Sequence, residues 1–243
     1  MEQSNSLRNK KVVILGGSSG IGLEVARQSL AQGAEVVIAS SNPERVQSAV
    51  AELGGKPTGR AVNLLDEAAI ETFFKAMGSF DHLVFTAGDT LALSDLADTD
   101  LKTARRAFEL RYWAAVAAVK YASTNIRPGG SIVLTTGIAG VRPHKGWVIA
   151  ASVCSMVEGL TRALAVELAP IRVNCVSPGV VRTNLWQNMA DSDREAMYES
   201  LGKQLLVGRV GEAPEIAQTF LYLMQQGFST GQIVIVDGGT SLV

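Results

Sequence analysis

Short unbroken apolar runs alternate along this chain with longer stretches whose apolar residues recur every three to four positions. VVIL (12–15) is the first run, and IGLEVARQSLAQ follows it at helical period. VVIA (36–39) is the second, followed by PERVQSAVAEL, where Pro43 suits the first turn of a helix. GRAVNL predicts a third strand, and Asp66 predicts an N-cap for EAAIETFFKAM. HLVFTAG predicts a fourth strand. Residues 98–125 contain no Gly or Pro and predict one long helix. SIVLTT, opened by Pro128-Gly129-Gly130, predicts a fifth strand, and residues 150–168 a long apolar helix. IRVNCVSPG predicts a sixth strand stopped by Pro178, residues 215–226 a helix, and QIVIVDGG the last strand. The stretch between Pro178 and Pro214 reads as irregular.

This alternation with short connections predicts an α/β chain: a Rossmann-type, doubly wound parallel sheet of about seven strands with helices on both faces. The strands are continuously apolar rather than alternating, as a sheet covered on both sides requires. Residues 1–243 read as one domain, without repeat or linker.

Composition narrows the partners. Hydrophobic residues are 47% and charged residues 19%, enough for a large core and too apolar for a disordered chain. The net charge is −1 with no block of like charge, so neither nucleic acid nor a membrane surface is expected as a partner. No apolar run reaches the roughly 18 residues of a membrane span. MEQSNSLRNKK carries no apolar secretory segment. The two cysteines, Cys154 and Cys175, sit in apolar sequence and read as reduced core thiols, so a cytoplasmic protein is expected. No metal site is expected.

The candidate chemistry starts at GGSSGIG, between the first strand and the first helix. Gly16 permits the tight turn, Gly20 lets backbone approach a pyrophosphate, and Gly22 allows close helix packing. The N–H groups around Ser18, Ser19 and Ile21, with the helix dipole, then face the phosphates. The second strand ends in Ala39-Ser40-Ser41-Asn42-Pro43-Glu44-Arg45, with no acid to accept a ribose 2′-hydroxyl. Ser40, Ser41 and Asn42 are small donors and Arg45 is a nearby cation, which favours NADP(H) over NAD(H).

The spacing Gly-x-x-x-Gly-x-Gly resembles that of the short-chain dehydrogenase/reductase family, and the resemblance extends over essentially the whole chain. SPGVVRT (177–183) is similar to the family's Pro-Gly-x-x-x-Thr segment, and GRVGEAPEIA and TGQIVIVDGG to its closing helix and strand. The resemblance implies that Pro178, Gly179 and Val181 shape the nicotinamide pocket and that Thr183 bonds the carboxamide or a phosphate. It implies an adenine contact at Asn63 and Leu64, where the family usually has Asp first. It implies a ribose contact at Ala87 and Gly88, where Thr86-Ala87-Gly88 replaces Asn-Ala-Gly. Residues 184–209 are expected to cap the substrate pocket.

The same resemblance predicts Tyr-x-x-x-Lys at the start of the sixth helix, but this chain reads Ile149-Ala150-Ala151-Ser152-Val153. Ile149 and Val153 can move no proton. Thr136 or Gly137 stands at the carbonyl-orienting serine, and Arg111 at the Asn of the preceding helix. Arg111, Thr136 and His144 are the replacement candidates. Arg111 offers fixed positive charge at a substrate oxygen, or else pairs with Glu109 or Glu158. His144 offers a proton carrier beside the pocket, or else lies with Lys145 in a solvated loop. An oxidoreductase acting on a small carbonyl or alcohol through a non-standard site is one reading. A catalytically degenerate nucleotide sensor or partner subunit is the other. The helices at 98–125 and 150–168 are apolar on more than one face, so a homo-oligomer, dimer or tetramer, built through them is expected.

Overall fold

The computed structural model describes residues 7–89 and 93–243. Seven parallel strands form one sheet in the order β3-β2-β1-β4-β5-β6-β9. They are β1 (Lys11–Leu15), β2 (Glu35–Ser40), β3 (Thr58–Ala61), β4 (Phe80–Phe85), β5 (Ile126–Thr135), β6 (Arg172–Pro178) and β9 (Ile233–Val236). The expected doubly wound architecture is present. A small second sheet pairs β7 (Val181–Arg182) with β8 (Gly211–Glu212).

Successive side chains of a strand point to opposite faces, and both faces here are apolar. Val13, Leu15, Leu83, Phe85, Ile132 and Leu134 face one cluster, built against α3 (Glu67–Met77), α5 (Ala114–Ala122) and α6 (Val148–Glu167). Val12, Ile14, Val36, Ile38, Val84, Val133 and Val176 face the other, against α1 (Gly20–Ala31), α2 (Pro43–Glu52) and α8 (Ala213–Gln225). Phe74 anchors the first cluster, edge-on to Phe73 at 5.0 Å and stacked on Phe80 at 6.1 Å. Truncating such a ring to Ala costs about 3–5 kcal/mol.

β1 pairs with β2 on one side and β4 on the other. The chain therefore winds outward in both directions from β1. The connections leaving β1 and β4 diverge, which opens a crevice over the carboxyl ends of those strands.

Three elements depart from the sequence expectation. The helix expected over 98–125 is α4 (Leu101–Phe108), a π-helical turn (Glu109–Trp113), α5, and a 3₁₀ turn (Ser123–Asn125). The irregular stretch before Pro214 contains a helix, α7 (Asp191–Gly202). Only Tyr198 and Gly202 of α7 are buried, so it has almost no apolar stripe to read. Finally, α6 is long and apolar enough to cross a membrane, with a mean hydropathy of 1.4, against the expectation that no run would be. Its Val153, Val157 and Thr161 are buried, and Val157 belongs to the sheet's own core. Packing on the sheet accounts for this one face of α6; Val148 and Val166 remain exposed.

Candidate active site

A cavity of about 750 Å³ occupies the crevice. The glycine turn, the ends of β2, β4 and β5, the π turn, the start of α6 and the segment after β6 all reach it. A ligand here meets backbone from one half of the sheet and side chains from the other.

The glycine turn is shaped by near contact. Gly16 has φ +92°, and a β-carbon on it would lie 2.5 Å from the Ala87 nitrogen. One on Gly22 would lie 2.3 Å from the Gly16 oxygen. No side chain larger than hydrogen fits either place. Gly20 has φ +53°, and a β-carbon on it would lie 3.4 Å from the Thr183 side chain. The start of α1 carries no side-chain cap and no acid in its first turn. By contrast Asn42, Asp66 and Asp100 cap α2, α3 and α4. The first N–H groups of α1 thus lack the usual side-chain acceptor, and an anion fits there. Ser18, Ser19 and Ile21 line the cavity beside them.

At the far end of the crevice, Ser40, Ser41 and Arg45 line the wall, with Asn63 and Leu64 opposite. Asn42 does not join them. Its Oδ1 accepts from the Arg45 backbone N–H at 2.8 Å, so the side chain caps α2 and lies outside the lining. The sequence signal was present: Asn directly before Pro at a helix start favours the N-cap. Asn63 Oδ1 accepts from Leu65 N–H at 3.1 Å, which leaves its amide nitrogen as the donor side.

The other end gathers Ala87, Gly88, Arg111, Thr136, Gly137, Pro178, Gly179, Val181 and Thr183 around one opening. Arg111 projects from the π turn, a winding found mostly as single turns at functional sites. Its partner is neither Glu109 nor Glu158. One Nη donates to the Asp89 carbonyl, and Nε lies 3.9 Å from the Asp89 carboxylate. Burial pulls the Arg111 pKa below its ordinary value and Asp89 pulls it back up, the Cys154 site adding a smaller upward effect. The Thr136 hydroxyl donates to the Cys154 carbonyl at 2.9 Å, so its proton is already engaged.

His144 is exposed and lies outside the cavity lining, edge-on to Trp147 at 4.7 Å. Its neighbour Lys145 pairs with Asp95 at 2.8 Å on the surface. His144 is thus not among the residues lining the cavity, although its ring partner Trp147 is.

Sequence reasoning missed Asp89, Cys154, Trp147 and Trp186, all of which line the cavity. Cys154 is half-buried, with Sγ 3.4 Å from where a Gly137 β-carbon would sit. Burial pushes its thiol pKa up, while the Thr136 hydroxyl and Arg111 partly oppose the shift. It therefore stays a thiol, unlike an activated nucleophile. Helical period was the available signal. The α6 positions facing the cavity are Ile149, Ala150, Val153, Cys154 and Val157, one stripe at three- and four-residue steps.

A family model for an SDR-like Rossmann domain matches residues 3–243. The chain belongs to the short-chain dehydrogenase/reductase (SDR) family. It is 34% identical to short-chain dehydrogenase/reductase ATR9 of Stachybotrys chlorohalonatus, over 98% of this chain and 99% of that one. Among solved structures it resembles a small-chain dehydrogenase in complex with NADPH, with TM-score 0.86 and 35% identity over 97% and 100% of the two chains. It also resembles the MalC reductase/Diels-Alderase of Malbranchea aurantiaca, with TM-score 0.92 and 30% identity over the whole of both chains. In this SDR the described lining residues of the cavity include no Tyr, Lys or His. Their titratable members are Arg45, Asp89, Asp98, Asp100, Arg106, Arg111 and Cys154.

Proposed function

We propose that this chain is an NADP(H)-dependent oxidoreductase that interconverts a carbonyl and an alcohol through a site without the Tyr-x-x-x-Lys pair. The observation that carries the reading is one cavity joining an uncapped α1 start to a half-buried guanidinium. The α1 start and the glycine turn would hold the pyrophosphate. Ser40, Ser41 and Arg45, with no acid among them, favour a 2′-phosphate. Thr183 faces Gly20 and would close over the phosphate side. The nucleotide, when bound, supplies the hydride.

Arg111 supplies fixed positive charge near the opening, where charge on a carbonyl oxygen would develop. It remains charged and gives up no proton, so the alcohol proton comes from water. Removal of the acid lowers the expected rate, since a placed acid contributes about 10²–10⁴-fold.

A second reading has an observation of its own. The Thr136 proton is engaged and α6 offers only apolar side chains and a thiol, as in a nucleotide sensor that no longer turns over. Titration of NADPH and NADH by nicotinamide fluorescence, followed by assays on ketones, aldehydes and quinones, separates the two. Tight NADPH binding with turnover supports the oxidoreductase; binding without turnover across the panel leaves the sensor.

We also propose that copies associate through α4–α5 and α6. Trp113, Val148 and Val166 on these elements are 55%, 46% and 81% exposed. Sedimentation of the wild type and of Trp113→Glu tests this.

A further inference from the structure

We infer that Asp89 and Arg111 together select an α-hydroxy ketone, the Asp89 carboxylate taking the hydrogen of the hydroxyl beside the reacting carbonyl. The inference rests on the oxidoreductase reading and adds a substrate class to it. Both residues line the cavity. Asp89 follows Gly88 in the segment after β4, and Arg111 comes from the π turn. Asp89 Oδ1 and Arg111 Nε are both shut off from solvent, and neither has a hydrogen-bond partner. They lie 3.9 Å apart, close enough for charge attraction and too far for a hydrogen bond. The second carboxylate oxygen stands off in the same way, 3.8 Å from Arg106 Nε. Among the described residues, no group donates a hydrogen bond to this carboxylate.

A buried donor and a buried acceptor left unpaired are costly to the empty site. What the pair lacks is one group that accepts from Nε and donates to Oδ1. A hydroxyl does both, whereas a carbonyl only accepts and an ammonium only donates. A hydroxyl oxygen roughly 2.8 Å from each atom fits across the 3.9 Å gap. Reaching it takes a turn of the Asp89 carboxylate about its last bond, a broad and soft torsion. The guanidinium is the fixed member. It donates from one Nη to the Asp89 carbonyl, and Gly88 leaves the space it occupies.

Arg111 presents neighbouring N–H groups in a flat fork. The carbonyl and hydroxyl oxygens of an α-hydroxy ketone sit on adjacent carbons, so both meet that fork, the hydroxyl on the Asp89 side. The carbonyl carbon takes hydride from NADPH and its oxygen a proton from water, giving a 1,2-diol and NADP⁺. A simple ketone leaves Oδ1 without a hydrogen. An α-keto acid also brings it none, and sets a second negative charge beside Asp89. Asn184 and Gln187 add polar groups to the same cavity, while Ile149, Leu185 and Trp186 offer apolar surface to the rest of the substrate.

The test compares 2-hydroxyacetophenone, acetophenone and benzoylformate, which share one phenyl ketone. Kinetics with NADPH, and calorimetric titrations with NADP⁺ bound, are run on the wild type, Asp89→Ala and Asp89→Asn. In the wild type the hydroxy ketone should exceed acetophenone about 30-fold in kcat/KM and about tenfold in affinity, with benzoylformate no better than acetophenone. Asp89→Ala should bring the ratio of hydroxy to plain ketone within about threefold, with the NADPH Kd as in the wild type. Asp89→Asn keeps an acceptor without the charge, and its ratio should lie between the two. Asn carries the test alone should Ala lower the melting temperature. Equal values for the two ketones in the wild type, a preference for benzoylformate, or a ratio that survives in the folded variants overturns the inference. So does a loss of NADPH binding with equal losses for both ketones, which assigns Asp89 to the nucleotide. Tighter binding of the hydroxy ketone without turnover of any ketone supports the inference and defeats the oxidoreductase reading instead. Turnover of acetophenone as fast as the hydroxy ketone defeats this inference alone.

Discussion

The Arg111 guanidinium lies across Gly88 so closely that a β-carbon there would sit 2.7–2.9 Å from its Nη1, Cζ and Nη2. The glycine leaves the space that lets Arg111 reach Asp89. Arg111→Ala should lower kcat/KM about tenfold or more, with the NADPH Kd changing little. Gly88→Ala keeps the charge but displaces it, and should lower kcat/KM in the same direction. Steady-state kinetics and a nucleotide titration check both. An Arg111→Ala enzyme as fast as the wild type would remove the electrophilic role.

The glycine turn gives a steric prediction. Gly16→Ala and Gly22→Ala place a β-carbon 2.5 Å and 2.3 Å from fixed backbone atoms. Either should abolish nucleotide binding and lower the melting temperature, since a backbone atom cannot step aside as a side chain can. Gly227, with nothing within 4 Å of its β-position, is the control. Gly227→Ala should bind and melt as the wild type does.

Cofactor choice rests on the absent acid at the end of β2. Ser41→Asp places a carboxylate in the wall lined by Ser40 and Arg45. It should weaken NADPH binding at least about tenfold through like-charge repulsion, and leave NADH binding unchanged or improved. Arg45→Ala should weaken NADPH alone, by a smaller factor because Arg45 is exposed. Equal losses for the two nucleotides in either variant would contradict the assignment of the 2′-phosphate to this wall.

Buried His82, 4% exposed, offers a pH test at the opposite end of the sheet. Its Nδ1 lies 2.9 Å from the Ser131 hydroxyl. Burial drives its pKa from 6.5 down to about 4, with Arg172 and Lys10 reinforcing the shift and Asp81 opposing it. The folded pKa lies below the unfolded one, so the unfolded chain takes up the proton first. The contribution is complete above pH 6.5 and is lost as pH falls toward 4, about 3 kcal/mol in all. Urea midpoints at pH 7 and pH 4.5 should therefore differ more in the wild type than in His82→Asn. An identical pH dependence in the two would show that His82 is not the group.

Much of the fold was legible because its strands are short apolar runs with few alternatives, and the glycine turn because a tight approach leaves only glycine. The π turn was not legible. Glu109–Trp113 contains no Gly or Pro, and one extra residue in a turn barely disturbs an apolar period. Asp89 escaped because its role depends on where Arg111 is carried, which sequence spacing does not encode. His144 is the reverse case: proximity to α6 in sequence suggested it, while the structure leaves its ring exposed and outside the cavity lining. That Trp147 and Trp186 line the cavity was not legible either, since an aromatic wall differs from an aromatic core only by the space beside it.

Winding, rather than side-chain chemistry, is what aims Arg111. Each residue of a regular helix turns the chain by about 100°, so the surplus carried between Phe108 and Ala114 sets the phase of everything before it relative to the sheet. Deleting one residue from 109–113 would restore a uniform helix and swing α4, with Asp100 and Arg106, around the rim of the crevice. The mouth would be recut with no side chain exchanged. Conversely, an arginine grafted at this place onto an evenly wound helix would point somewhere else, so length variation in this one segment is a route to new specificity that residue-by-residue substitution does not reach.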